Sequence, residues 1–144
     1  MNSTNKVTLE IDACSQNVSL ARVMVTAFIT PLDPTVAEIS DIKTAVSEAV
    51  TNAIIHGYGE KNDGQVILSI FSKGKKITIE VSDTGIGIEN VDSAREPLFT
   101  TKPEMERSGL GFTVMESFMD EVIVNSTPQK GTKITMIKTL GEQQ

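Results

Sequence analysis

Two β-branched, alternating runs stand close together at residues 65–71 and 76–81, with Ser72-Lys73-Gly74-Lys75 between them. Alternation at period two gives a strand one buried face, and a short Gly-containing junction closes a hairpin. A chain with such a hairpin at its centre must build outward from a sheet. Val7, Leu9 and Ile11 alternate with polar residues in the same way and add a strand before it. Residues 121–126 and 132–138 add a closing hairpin around Pro128 and Gly131.

The remaining apolar pattern is helical. Val18, Ala21, Val25 and Phe28 fall on one side of residues 15–30, and Pro31 and Pro34 end that run. Asp33-Pro34-Thr35 then opens a second helix, with Asp33 as N-cap and Pro34 in the first turn. This helix carries Val36, Ile39, Ile42, Val46, Ala49 and Ala53 and runs to roughly Gly57. Residues 111–119 read as a short third helix. The order predicts an α+β two-layer sandwich: a mixed, largely antiparallel sheet with helices on one face. No repeat or linker interrupts it, so residues 1–144 read as one domain.

Composition excludes several classes. Hydrophobic residues make up 39% and charged residues 22%, ordinary values for a globular protein. Cys14 is the single cysteine, so neither an internal disulfide nor a zinc quartet can form, and it reads as a small buried hydrophobe. No apolar run approaches the length of a membrane span, and the polar start MNSTNK lacks signal-peptide character. A cytoplasmic location without membrane contact is the expectation. The net charge of −6 argues against direct nucleic-acid binding, which needs clustered cations. It also sets a condition: a polyphosphate ligand requires local Lys, Arg or a metal ion.

Glu48, Asn52 and His56 are four apart and form one stripe on the second helix. Two readings fit. A polar stripe can be a solvated face, but AVTNAIIHGY contains no Lys or Arg and its flanks are small or apolar, as in a pocket wall. An amide oxygen at Asn52 suits magnesium, which binds alongside phosphates, and Glu48 one turn away can take or orient a proton. A lone His near a helix end, such as His56, is more often a hydrogen-bonded structural residue or a partner of the C-terminal carbonyls than a catalyst.

The strand 76–81 runs into Asp83-Thr84-Gly85-Ile86-Gly87. A dinucleotide fingerprint fails here, because Asn90 occupies the third glycine position and no helix pattern follows. A plain turn remains possible. The functional reading is that the glycines let a flat ligand approach the backbone, while Asp83, an acceptor only, suits an exocyclic amino group such as adenine's. After Asp83 about 25 residues lack periodicity, and loops beyond about 12–15 residues are usually functional or disordered. Ser108-Gly109-Leu110-Gly111 ends that stretch where helix begins, with Lys102 and Arg107 beside it. Free amides at a helix start, with nearby cations, form a phosphate site.

Glu48-x-x-x-Asn52, Asp83-x-Gly85-x-Gly87 and Gly109-Leu110-Gly111 resemble, in that order, the Bergerat-fold ATPase superfamily of gyrase, heat-shock chaperone, histidine kinases and mismatch-repair proteins. SEAVTNAIIHGY and EPLFTTKPEMERSGLGF are similar to its serine-kinase anti-sigma branch, and the likeness covers nearly the whole chain. The resemblance implies an ATP-dependent protein serine kinase. Such a protein sequesters a sporulation sigma factor of the sigma-F type and phosphorylates its anti-anti-sigma antagonist on serine. It also implies a homodimer. On the matching positions Asn52 would hold Mg²⁺, and Glu48 would act as base or orienter for a serine hydroxyl. Asp83 would bind the adenine amino group of ATP or ADP, with Gly85, Gly87 and Thr132 nearby. Residues 88–108 would form a lid, with Thr101, Lys102, Arg107, Ser108, Gly109, Leu110 and Gly111 around the phosphates. Many relatives carry a further glycine two residues before Gly109; here Arg107 stands there and adds a cation.

A nucleotide-gated binding module without phosphoryl transfer is the alternative, and Glu48 discriminates the two. A histidine-kinase catalytic piece needs an accepting His on a dimerisation helix, whereas His56 is the single His and lies in the nucleotide motif. Gyrase-like or mismatch-repair activity is likewise not expected, because it needs an additional domain. Arg22 is the one basic residue between Val7 and Ile42. It reads either as a contact for an acidic partner surface or as an ordinary solvated arginine.

Overall fold

The computed structural model describes residues 3–57, 64–84, 106–127 and 130–141. Among these, five strands form one sheet: β1 (Thr4–Asp12), β2 (Gln65–Lys73), β3 (Lys76–Asp83), β4 (Glu121–Thr127) and β5 (Gly131–Thr139). Their order is β1-β2-β3-β5-β4. Every described pairing is antiparallel, so no mixed pairing occurs among these strands. The expected central hairpin is β2–β3, where Lys73 pairs with Lys76 and Gly74 takes φ 59°. A two-residue hairpin needs that positive φ at its first central position.

Among the described residues, three α-helices pack on one face: α1 (Asn17–Ile29), α2 (Val36–Asn52) and α3 (Glu106–Phe118). That face of the sheet is apolar because alternate residues point into it: Leu68 and Ile70 on β2, Ile77 and Ile79 on β3, Ile134 and Met136 on β5. Val25, Ile29, Ile42, Val46 and Met115 meet them from the helices, all fully buried. Each such side chain contributes about 1.5–3 kcal/mol through removal from water. The opposite face is mixed, with the Thr8 and Ser69 hydroxyls 3.1 Å apart and a Lys133–Glu80 ion pair at 3.6 Å.

The start of α2 differs from the sequence expectation. Asp33 has φ 61° and terminates a 3₁₀ turn, Thr30–Leu32, instead of capping the helix. The N-cap is Thr35, whose hydroxyl accepts from the Glu38 amide at 3.0 Å while Glu38 accepts from the Thr35 amide at 2.8 Å. This reciprocal capping box satisfies two end groups at once, which a lone Asp cannot do. Pro34 therefore precedes the helix, and Val36 is solvent-facing at 84% exposure. The other oxygen of Glu38 accepts from the Gly141 amide at 2.8 Å, tying α2 to the residues after β5. Cys14 is half-buried, its sulfur 3.4 Å from Asn17 Nδ2.

The third helix also starts earlier than expected, at Glu106 instead of Gly111, so Ser108, Gly109 and Leu110 lie within helical backbone. Its far end is held by Lys138, a largely buried cation whose Nζ donates to the Phe118 carbonyl at 3.0 Å. A cation there meets the exposed last carbonyls of the helix. Because β5 enters the sheet between β3 and β4, the C-terminal end of β3 lies beside the N-terminal end of β5.

Candidate nucleotide site

Glu48 and Asn52 lie one turn apart on α2, as the spacing predicts, on the part of the helix that α3 packs against. The contact is made at Gly111. A Cβ added there would stand 2.9 Å from Glu48 Oε1 and 3.3 Å from Asn52 Nδ2. Glycine inside a helix is disfavoured by about 1 kcal/mol relative to alanine. Here the missing side chain is what lets α3 approach the carboxylate and the amide.

Asn52 is 5% exposed, and its Nδ2 finds no hydrogen-bond partner among the described residues. A buried polar atom without a partner is destabilising by about 1–3 kcal/mol, and Nδ2 is a donor, so what it lacks among the described residues is an acceptor. The amide oxygen is a hard neutral donor. Among the described residues no group of three His, Cys, Asp or Glu forms a metal cage. An amide oxygen at this position is a ligand type that magnesium accepts alongside phosphate oxygens. Directly after Asn52 the helix widens into a π turn, Ala53–Gly57, a feature frequent at functional sites. The i+4 stripe of the sequence therefore holds through Asn52, and the backbone changes geometry before His56, whose side chain lies outside the described residues.

The second half of the site is a row across the sheet. Asp83 on β3 is directly opposite Thr132 on β5, and Thr132 is directly opposite Ser126 on β4. All three share the helix-covered face with Val81, Ile134 and Val124, the row before them. The inner face thus turns from apolar to polar at this edge. Thr132 Oγ1 and Ser126 Oγ are 2.7 Å apart, and Ser126 Oγ donates to the Gly131 carbonyl at 3.2 Å. Gly131 has φ 118°, and a Cβ on it would overlap the Asp83 carbonyl oxygen and stand 2.8 Å from Thr84 Cα. Only glycine fits there. Sequence reasoning assigns Gly131 to the hairpin turn and passes over Ser126, because neither position acquires its neighbours until β5 is placed beside β3.

Gly85, Gly87, Thr101 and Lys102 lie outside the described residues, as does the greater part of the 88–108 segment. Arg107, Ser108, Gly109 and Leu110 are placed by backbone only; their side chains are outside the described residues. Arg22 stands apart from the nucleotide site, between α1 and α2. Its guanidinium donates to Ser47 Oγ at 3.1 Å and to Ser19 Oγ at 3.2 Å. It lines a cavity of about 400 Å³ with Ile39, Lys43 and Thr44. No described helix is long and apolar enough to cross a membrane.

The chain matches the family model of the histidine kinase-like ATPase domain over residues 11–138. It is 59% identical to an anti-sigma F factor of Clostridium novyi (strain NT) over 96% of each chain. It is 53% identical to an anti-sigma F factor of Bacillus subtilis (strain 168), over 96% of this chain and 94% of that one. Among solved structures, the RsbU and RsbW domains of Rv1364c from Mycobacterium tuberculosis align over 94% of this chain, at TM-score 0.69 and 20% identity. The match spans 32% of that larger protein. The catalytic domain of the histidine kinase ThkA aligns over 93% of this chain and 98% of its own, at TM-score 0.60 and 16% identity. These structures share the two-layer fold. With its sheet order, the Glu48–Asn52–Gly111 contact and these relatives along almost its whole length, the chain belongs to the histidine kinase-like ATPase domain family, in the branch whose members are named anti-sigma F factor.

Proposed function

We propose that the chain is an anti-sigma factor and an ATP-dependent protein serine kinase. It sequesters a sporulation sigma factor of the sigma-F type and phosphorylates that factor's anti-anti-sigma antagonist on serine. The reading is supported above all by Asn52: a buried amide whose Nδ2 has no partner among the described residues, one turn from a carboxylate, under a helix with no side chain at the point of contact. The names of the relatives supply the sigma-factor partner.

In this reading Asp83 accepts a hydrogen bond from the adenine amino group, with Thr132 beside it and Gly85 and Gly87 giving the base access to the backbone. Asn52 would hold Mg²⁺, which would supply positive charge against the phosphates. Glu48 orients the serine hydroxyl and accepts its proton as the oxygen attacks the γ-phosphorus, while the bond from the γ-phosphorus to the β–γ bridging oxygen breaks and ADP leaves. Residues 88–108 of this single domain form the lid, and Thr101, Lys102 and Arg107 bring cations and a hydroxyl to the phosphates of ATP or ADP. Catalysis of this kind rests on positioning and charge. Arg22, beside Lys43 in the α1–α2 cavity, meets an acidic surface of a partner protein, and the chain acts as a homodimer in the cytoplasm.

The test is incubation of the protein with ATP, Mg²⁺ and its candidate antagonist, followed by mapping of the modified residue. Phosphoserine on the antagonist is expected. ATP binding without phosphoserine would leave a nucleotide-gated binding module.

A further inference from the structure

Lys138 brings a charge to the edge of the core at 8% exposure, and the reaction proposed above makes no use of it. We propose that Lys138 is a positioning residue: it fixes α3 along its axis and so holds Gly111 against Glu48. The proposal rests on the kinase reading above.

Lys138 lies on β5 in phase with Ile134 and Met136, so its side chain points to the helix-covered face. The four-carbon stem runs along that apolar surface, and Nζ donates to the carbonyl of Phe118, the last residue of α3, at 3.0 Å. Both chain neighbours hold the same junction. The Ile137 carbonyl accepts from the Asp120 amide at 2.8 Å, and the Thr139 amide donates to Asp120 Oδ2 at 2.8 Å. Three consecutive residues of β5 thus grip the turn that leaves α3.

The packing of α3 is less able to fix its position. Phe112 and Met115 enter the core, with Met119 just beyond the helix, and methionine adapts to the space it is given. At Gly111 there is no side chain to interlock with α2. Such packing resists separation better than sliding, whereas a hydrogen bond to a helix-end carbonyl is directional. Sliding matters here, because a Cβ at Gly111 would already stand 2.9 Å from Glu48 Oε1. Gly111 and Phe118 are about 10 Å apart along one continuous helix, so the two ends move together. Without the Lys138 bond the Phe118 carbonyl is left to water, and α3 can settle at a different height beside α2. The backbone against which Glu48 is set shifts with it, and a misplacement of about 1 Å can lower a rate about 10²-fold.

The experiment compares the wild type with Lys138→Met, Lys138→Arg, Gly111→Ala and the double variant Lys138→Met, Gly111→Ala. Melting temperature, Mg·ATP dissociation constant and the rate of antagonist phosphorylation at saturating ATP are measured for each. Methionine keeps the length and burial without the donor; arginine keeps donor and charge. Lys138→Met is expected to melt within a few degrees of wild type and bind Mg·ATP within about threefold, yet phosphorylate about tenfold more slowly. Lys138→Arg is expected to recover most of that rate. Where Gly111→Ala has already displaced Glu48, Lys138→Met is expected to lower the rate by less than about threefold, because the two changes act through one group. A wild-type rate in folded Lys138→Met overturns the proposal alone. So does a loss of rate that tracks the melting temperature, or one that is additive with Gly111→Ala. A wild type that transfers no phosphate to the antagonist overturns the kinase reading and the proposal with it.

Discussion

Gly111 on α3 lies so close to Glu48 on α2 that a single methyl group would come within 2.9 Å of the carboxylate oxygen. Gly111→Ala sets two effects against each other: a gain in helix propensity of about 1 kcal/mol and the displacement of Glu48. Net stability is expected to change by less than about 1 kcal/mol. Phosphoryl transfer is expected to fall about tenfold or more, since small misplacements of a positioned group are expensive in rate. Thermal melting and initial rates of antagonist phosphorylation, measured on one preparation, check this. Full activity would show that the carboxylate tolerates the methyl group.

Asn52→Ala separates stability from function. It removes a buried nitrogen without a partner, so the nucleotide-free protein is expected to melt at the wild-type temperature or slightly above. Mg·ATP affinity is expected to fall at least about tenfold, through loss of one charge-assisted ligand. A melting temperature several degrees lower would mean that the amide serves the fold.

Gly131→Ala places a Cβ against the Asp83–Thr84 backbone at φ 118°. Backbone strain of this kind amounts to about 1–3 kcal/mol before the overlap is counted. Urea denaturation is expected to show at least that loss, together with weakened nucleotide binding from a displaced Asp83. Wild-type stability would contradict the close approach of β3 and β5.

Glu38→Ala removes the side-chain half of the reciprocal cap and the acceptor for Gly141, and leaves the bond from the residue-38 amide to the Thr35 hydroxyl in place. Two part-buried amides, those of Thr35 and Gly141, lose a charged partner, and the expected loss in chemical denaturation is about 1–3 kcal/mol, with nucleotide affinity little changed. A loss below about 0.5 kcal/mol would show that water replaces the carboxylate at no penalty.

What the sequence reveals of this molecule follows from range. The stripe of Glu48 and Asn52 is legible because helix geometry is local, and the β2–β3 hairpin because Gly74 marks it. The cap is misread at Asp33 although Glu38, three residues after Thr35, carries the local signal. The start of α3 is misread because Gly109 and Gly111 are poor helix formers, and packing against α2 overrides that propensity. The pairing of Asp83 with Thr132, and the parts of Gly131 and Ser126 in it, depend on β5 entering beside β3, which no short window of sequence encodes.

The central claim turns on Glu48. The direct measurement pairs Mg·ATP affinity with antagonist phosphorylation for the wild type and Glu48→Ala. The account predicts ATP binding within a few-fold of wild type and loss of phosphoserine by about 10²-fold or more, the scale of a positioned acid–base group. Phosphorylation that persists at the wild-type rate in Glu48→Ala would contradict it.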